Sequence, residues 1–247
     1  MLVGGVKALI QSFFRHFLKP LIPPLCPLCH IPVEQDYTLC ATCWPVVEFI
    51  SAPFCDQCGQ PLECAMAPTI ICGRCLTDPF PFKAARAVFR YTPASSPLIL
   101  NFKHGDMTYL ADFFAHWMLR DRGYFKDVDL IVPVPLHWTR LLKRGFNQAA
   151  LLGKRLSLQS GIPHAPGILK RLKETPSQGG LSKKERARNV KKVFHVNPSM
   201  KSHFQGKTIL LVDDVMASGA TLRFCAENLL KAGAKAVKVQ VVCRSKV

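Results

Sequence analysis

Apolar positions along this chain change their period several times, and each change marks an element. Over residues 2–21, Leu2, Val3, Val6, Leu9, Ile10, Phe13, Phe14, Phe17 and Leu21 recur at spacings of three and four, while Lys7, Gln11, Arg15 and Lys19 fall elsewhere on the wheel. That period predicts an amphipathic helix, ended by Pro20, Pro23 and Pro24. Its apolar stripe suits either a membrane surface or packing against protein, and the second use is the commoner one in globular chains.

Residues 25–81 show little helical period and many turn residues. Beyond them Ala84–Tyr91 reads as a strand, 97–101 as a short apolar segment and Tyr109–Leu119 as a helix. The run Asp129–Pro135 is apolar and closed by prolines, as suits a buried strand leading into a loop. A helix is expected over Gly145–Leu158, strands over Ile168–Leu172 and Val193–Val196, and a polar loop or lid over Thr175–Asn189. Then follow a strand at Thr208–Val212, a helix at Ala220–Lys231 stopped by Gly233, and a last strand at Ala236–Val242. Strands alternating with helices predict an α/β fold with a mostly parallel sheet flanked by helices. The expected organisation is a helix over 1–24, a small cysteine-rich module over 25–81 and an α/β domain over 82–247.

Charge sharpens this picture. The chain of 247 residues has 33 Lys and Arg against 16 Asp and Glu, a formal net charge of +17. Residues 137–201 hold fifteen of those cations and two acids, Glu174 and Glu185. A stretch that dense attracts polyanions, whereas a scattered excess would only keep a surface solvated. No run approaches the roughly 18 apolar residues of a membrane span. The first residues carry charges through their apolar stretch and no small-residue cleavage site, which differs from a secretory leader and leads us to expect a cytoplasmic protein.

Nine of the eleven cysteines lie between Cys26 and Cys75, and eight of them form C-x-x-C pairs: Cys26/Cys29, Cys40/Cys43, Cys55/Cys58 and Cys72/Cys75. In a reducing compartment such pairs bind metal rather than form disulfides. Each pair aims two thiolates at one ion, so two pairs complete a tetrahedral four-thiolate site. Four pairs imply two structural zinc ions; an iron–sulfur cluster uses the same residue types and stays open at this level. Joining first with second and third with fourth is the simplest arrangement, though a crossed one uses the same residues. Cys64 has no partner knuckle, and Cys225 and Cys243 read as small buried hydrophobes. Between Cys26 and Cys75 there are five acids, one Arg and no Lys. That balance suits partner binding or scaffolding better than tracking a phosphate backbone.

The densest chemistry lies at 212–221, Val-Asp-Asp-Val-Met-Ala-Ser-Gly-Ala-Thr. A buried strand ends in two carboxylates, a loop of small residues with two hydroxyls follows, and then a helix begins. In open α/β sheets ligands bind beyond the carboxyl ends of strands. Unpaired N–H groups at the start of the next helix favour a phosphate. Gly219 and Ala220 allow close backbone approach, Ser218 and Thr221 supply hydroxyls, and Asp213 and Asp214 suit sugar hydroxyls or magnesium. Neither a GxxxxGK[ST] loop nor a GxGxxG fingerprint is present.

This segment resembles the PRPP-binding motif of type I phosphoribosyltransferases, in which adjacent acids hold the ribose hydroxyls and the loop holds the 5′-phosphate. The resemblance assigns Asp213 and Asp214 to the first role, as the residues at the reacting ribose, and Ala217, Ser218, Gly219, Ala220 and Thr221 to the second, with Val212 leading in. Ala217 and Ser218 depart from the commoner Thr-Thr-Gly form, and the alanine removes one possible contact. Further stretches are similar to the ComF (GntX-like) family: Phe102–Asp106, Val132–His137, Arg144–Gln148, Thr175–Gln178 and Leu181–Val190. With the cysteine pairs they cover nearly the whole chain beyond about residue 25. The resemblance implies a double zinc ribbon before a phosphoribosyltransferase-like sheet, magnesium and PRPP as ligands, and a role in natural competence. It also implies pyrophosphate near the loop after Pro135, where Arg144 or Lys143 would supply charge. Three functions follow as expectations: phosphoribosyl transfer to an acceptor, a PRPP-binding module contacting single-stranded DNA, and an adaptor whose ribbons dock a helicase-like partner.

Overall fold

A computed structural model describes residues 23–64, 69–104, 107–172 and 193–245. The helix expected over 2–21 and the loop expected over 175–189 lie outside these residues. The chain divides into two compact units, Met1–Val46 and Val47–Val247, and one four-cysteine cluster lies in each.

In the first unit the backbone folds tightly around Cys26 and Cys29. Cys26 N–H donates to the Ile31 carbonyl at 2.8 Å, His30 N–H donates to the Cys26 carbonyl at 2.9 Å, and Leu25 bridges Pro32. The same knuckle recurs in the second unit, with Cys55 N–H on the Gln60 carbonyl, Gly59 N–H on the Cys55 carbonyl and Phe54 bridging Pro61. His30 and Gly59 hold equivalent left-handed positions, at φ 61° and 66°. Glycine is required at the second, because a Cβ there would stand 2.6 Å from the Ala85 carbonyl oxygen.

The second unit is a three-layer α/β structure. Its first helix, α1, is the short Gly73–Thr77, followed by β1 (Ala84–Tyr91), α2 (Ser96–His104), α3 (Leu110–Met118) and β2 (Leu130–Pro133). Next come α4 (Trp138–Arg144), α5 (Gln148–Ser160), β3 (Leu169–Arg171) and β4 (Phe194–Val196). The chain ends with a single turn α6 (Lys201–Phe204), β5 (Thr208–Met216), α7 (Ala220–Lys231) and β6 (Ala236–Ser245). The main sheet has the order β1-β6-β5-β2 with all pairs parallel, while β3 and β4 form a separate antiparallel ribbon.

Burial on both faces explains the apolar runs of the central strands. Leu130, Val132, Ile209, Leu211, Val237, Val239 and Val241 face a core completed by Leu222, Cys225 and Leu229 of α7 and by the β3–β4 ribbon. The alternate residues face α5, whose Gly153 lies so close to Ile131 that a Cβ would come within 3.3 Å of its side chain. Both sheet edges are covered, as exposed edges invite unwanted pairing. Ile50 N–H donates to the Val88 carbonyl and Arg90 N–H to the Glu48 carbonyl beside β1, while Ile131 exchanges hydrogen bonds with Pro163 and Ala165 beside β2.

Three expectations change. The apolar stretch at 97–101 belongs to a helix, α2. The helix expected over Gly145–Leu158 is α5, which starts three residues later at Gln148, where the Asn147 side chain caps it by accepting from Ala149 and Ala150 N–H; a separate helix, α4, precedes it and is terminated by Gly145 in the left-handed region at φ 77°. Strand β5 continues to Met216, so both carboxylates belong to the strand and not to the loop.

Candidate functional site

The two cysteine clusters are brought together as sequential pairs, Cys26, Cys29, Cys40 and Cys43 in one and Cys55, Cys58, Cys72 and Cys75 in the other. In each, all four sulfur atoms lie within 4.8 Å of one another, a spacing that fits tetrahedral thiolate ligation. The backbone is arranged for sulfur anions. Cys43 N–H donates to Cys40 Sγ at 3.4 Å and Cys72 N–H to Cys55 Sγ at 3.3 Å. The Cys43 N–H lowers the Cys40 thiol to about 7. Burial pushes the Cys55 thiol up, but N–H groups of Cys72, Cys58 and Gln57 outweigh it and bring this thiol also down to about 7. These are two structural zinc sites of the four-cysteine kind. Cys64 is exposed and outside both clusters, and Cys225 and Cys243 are fully buried.

The strand-end site is built by β5. Val212 is the last residue of the apolar run before the two acids; its side chain is buried and its carbonyl accepts from Val134 N–H at 2.9 Å. Successive residues of a strand point to opposite faces, so the two acids meet different neighbours. Asp214, 9 % exposed, pairs with Lys103 of α2 at 3.1 Å. Asp213 turns toward Cys225 of α7 and accepts from Asp214 N–H at 2.9 Å. Burial, and then the Asp214 charge, push the Asp213 carboxyl up to about 8, against the pull of the Asp214 N–H, Lys103 and Arg171.

Ala217 and Ser218 are exposed, and Gly219 caps α7 in the left-handed region at φ 75°. Arg223 N–H makes the first helical bond, to the Gly219 carbonyl. The N–H groups ahead of it therefore face the loop without helical partners, apart from a long contact of 3.4 Å from Ala220 N–H to Ser218 Oγ. Thr221 lies half-buried in this first turn. The arrangement offers a carboxylate pair, a cation and a phosphate-sized set of N–H donors at one strand end.

Arg144 does not sit in a loop after Pro135, because α4 begins at Trp138 with His137 as its cap. It donates to Gln148 Oε1 at 3.3 Å, and Gln148 Nε2 donates to the Lys103 carbonyl at 3.4 Å. A polar relay thus joins Arg144 to the residue that holds Asp214. Lys103 carries no assigned role in the sequence reading, although its Phe-Lys-His-Gly-Asp stretch stands out there. Arg74 was missed as well: it donates to the Ser218 carbonyl at 2.5 Å. Its signal was available, since it is the one cation between Cys26 and Cys75.

Comparison with known proteins agrees with this architecture. A model described as a double zinc ribbon domain matches residues 17–76, and one described as a phosphoribosyl transferase domain matches residues 149–246. The chain is thus a double zinc ribbon joined to a type I phosphoribosyltransferase-like parallel sheet. It is 34 % identical over 232 residues to the DNA utilization protein YhgH of Salmonella typhimurium, covering 91 % of this chain and 98 % of the relative. It is 33 % identical over 213 residues to competence protein F of Haemophilus influenzae, covering 84 % and 90 %. The chain belongs to this ComF (GntX-like) family of competence and DNA-utilization proteins. Among solved structures, a glutamine PRPP amidotransferase of B. subtilis aligns at 16 % identity with a TM-score of 0.41, over 57 % of this chain and 30 % of that one.

Metal analysis of the purified chain should find about two zinc ions, as two closed four-thiolate sites require, and about one in Cys58→Ser. A pH dependence follows from Asp213. The native state keeps its proton to higher pH than the unfolded chain, so this group's contribution to stability falls as pH rises from about 4 to about 8. Asp213→Asn removes that loss. Its melting temperature should match the parent near pH 4 and exceed it by about 2–6 °C at pH 8, measured by calorimetry without divalent ions.

Proposed function

We propose that this chain binds Mg-PRPP at the end of β5 and contacts single-stranded DNA through its basic face, acting in the cytoplasm in DNA uptake or utilization. The observation that carries the reading is the delivery of two carboxylates by one strand to the edge of a helix N-terminus, with a cation already on one of them. Asp213 and Asp214 would hold ribose hydroxyls or magnesium, and Ala217–Thr221 would take the 5′-phosphate through backbone N–H and hydroxyl groups. Lys103, which pairs with Asp214 at 3.1 Å, would meet an anion of that ligand. Arg144 and Lys143 add charge for pyrophosphate. PRPP supplies a ribose whose pyrophosphate is ready to leave.

A second reading, transfer of the phosphoribosyl group to a small-molecule acceptor, uses the same residues. It is favoured by Asp213, whose carboxyl is raised toward neutral pH, where a group can give or take a proton. Release of pyrophosphate with some acceptor would establish it; binding without release across an acceptor screen would leave the binding role alone.

The DNA reading rests on family kinship and on α4. Trp138 is 62 % exposed at the start of α4, a helix that also carries Arg140, so one helix bears an exposed aromatic and cations. Such an aromatic can stack a base while nearby cations follow the backbone. Among the described residues no helix is long and apolar enough to cross a membrane. The ribbons, acidic on balance, would serve a protein partner of helicase type.

Calorimetric titration should show Mg-PRPP binding that weakens by about tenfold or more in Asp214→Asn, the loss of one charge-assisted contact. Undetectable binding in the zinc-loaded parent chain would end this reading. Single-strand affinity should fall by at least about tenfold between roughly 50 and 200 mM salt. It should fall by about tenfold in Trp138→Ala, the cost of one lost stacking contact. A flat salt response would remove the basic face from the DNA role.

A further inference from the structure

The second four-cysteine site does more than staple its own ribbon. Within the knuckle Cys55-Asp56-Gln57-Cys58, the Gln57 amide grips the backbone of Phe80 from both sides: Nε2 donates to the Phe80 carbonyl and Oε1 accepts from Phe80 N–H, each at 3.2 Å. The Phe80 ring lies stacked on Phe82, with centroids 4.7 Å apart, and against Gly219. A Cβ on Gly219 would stand 2.8 Å from that ring and 2.8 Å from Met216 Cε, so the loop's backbone is seated directly on them.

The opposite knuckle, Cys72-Gly73-Arg74-Cys75, holds the next point of the loop. Arg74 donates to the Ser218 carbonyl at 2.5 Å, and its guanidinium carbon lies 5.3 Å from the centre of the Phe80 ring. Its other terminal nitrogen is buried with no hydrogen-bond partner, which leaves one donor uncommitted beside the loop. A third fastening reaches the first turn of α7. Arg223 donates to the Pro79 and Asp78 carbonyls at 3.0 and 3.2 Å, pairs with the Asp78 carboxylate at 2.9 Å and covers Phe80 from 4.7 Å. Ser218, Gly219 and the start of α7 are therefore each held by the ribbon or by the residues that leave it.

We propose that the second zinc ribbon is a structural part of the phosphate cradle, with Arg74 and Phe80 as positioning residues that set the loop 217–219 for a ribose 5-phosphate group. The four-thiolate cluster fixes the two knuckles, the knuckles fix Arg74 and Phe80, and these two fix the loop. A tight αL turn of small residues has few contacts of its own, so its order depends on what it rests upon. The consequence for ligand affinity rests on the PRPP reading above, whereas the consequence for loop order does not.

The experiment is amide hydrogen exchange of residues 217–221 on the full zinc-loaded chain, beside titrations with Mg-PRPP, ribose 5-phosphate and magnesium pyrophosphate. In Arg74→Ala we expect exchange across 217–221 to rise by about tenfold. Affinity for PRPP and ribose 5-phosphate should fall together by about tenfold, with pyrophosphate binding and zinc content as in the parent. Arg74→Lys, which keeps one donor, should recover part of both, and Phe80→Leu should loosen the same amides. Cys75→Ser tests the metal itself; should that variant fail to fold, Arg74→Ala and Phe80→Leu still decide. Unchanged exchange at 217–221 in both of these would overturn the proposal. If their exchange rises while the parent binds neither PRPP nor ribose 5-phosphate, the ribbon sets the loop and the PRPP reading alone falls.

Discussion

The structure turns on where β5 stops being apolar. From Thr208 to Val212 the strand is buried on both faces, between α7 with the β3–β4 ribbon on one side and α5 on the other. It stays a strand for four residues more and carries two carboxylates out of the core to the carboxyl edge of the sheet. Ionising Asp213 there is costly, since it loses water and feels the Asp214 charge. The fold answers asymmetrically: Asp214 receives Lys103, while Asp213 receives chiefly backbone and more distant charges and is raised to about 8. The strand end thus carries two carboxyls in different states beside a helix N-terminus, which is the arrangement the proposed ligand, with its cation and phosphate, would use.

Around that strand end the chain places supports of unequal kind. The helical support is ordinary α/β packing: β5, α7 and β6 form a parallel crossover, and α5 covers the other face. The ribbon support depends on metal chemistry. A module of this size has too little apolar surface to hold two knuckles in register without a staple. Its second half nevertheless reaches the core, where Cys55, Cys58 and Cys75 lie among the buried residues with Phe80 and Phe82. Arg244 at the end of β6 adds to the join, donating to Gln60 Oε1 at 2.9 Å and lying 3.6 Å from Cys58 Sγ. Ribbon and sheet thus share one core in the second unit, and sulfur anions there are balanced partly by a cation from the sheet.

The family's two themes, a sugar-phosphate site and DNA, meet in the same electrostatics. The segment 137–201 holds fifteen cations in sequence, and the strand-end site itself presents two acids. Short-range donors select a compact phosphate, whereas the long-range field draws any polyanion. Exposed Trp138 and half-buried Arg140 on α4 lie in the segment that also bears Arg144, linked through Gln148 to Lys103. One helix therefore belongs to the basic surface and to the outer relay of the strand-end site.

Much of this was legible in one dimension because it depends on local spacing. Four C-x-x-C pairs specify two thiolate sites wherever they fold, a four-residue apolar run at Ile209–Val212 specifies a strand buried on both faces, and Gly233 after Lys231 specifies a helix stop. The motif at 212–221 reads out its own chemistry because strand, acids, small loop and helix are contiguous. Tertiary structure decided what contiguity cannot encode. It separated Asp213 from Asp214 by sending them to opposite faces. It added a helix, α4, ahead of the expected one and ended it at Gly145 through a left-handed cap, and it chose sequential over crossed pairing of the knuckles. It also carried Arg74 across the chain to Ser218, a contact between residues 144 positions apart. Period and spacing report which face a residue occupies and which neighbours lie within a turn or two; they hold no information about which distant surface that face will meet. For that reason the loop at 217–221 was visible from its own residues, and the ribbon beneath it was visible only in the fold.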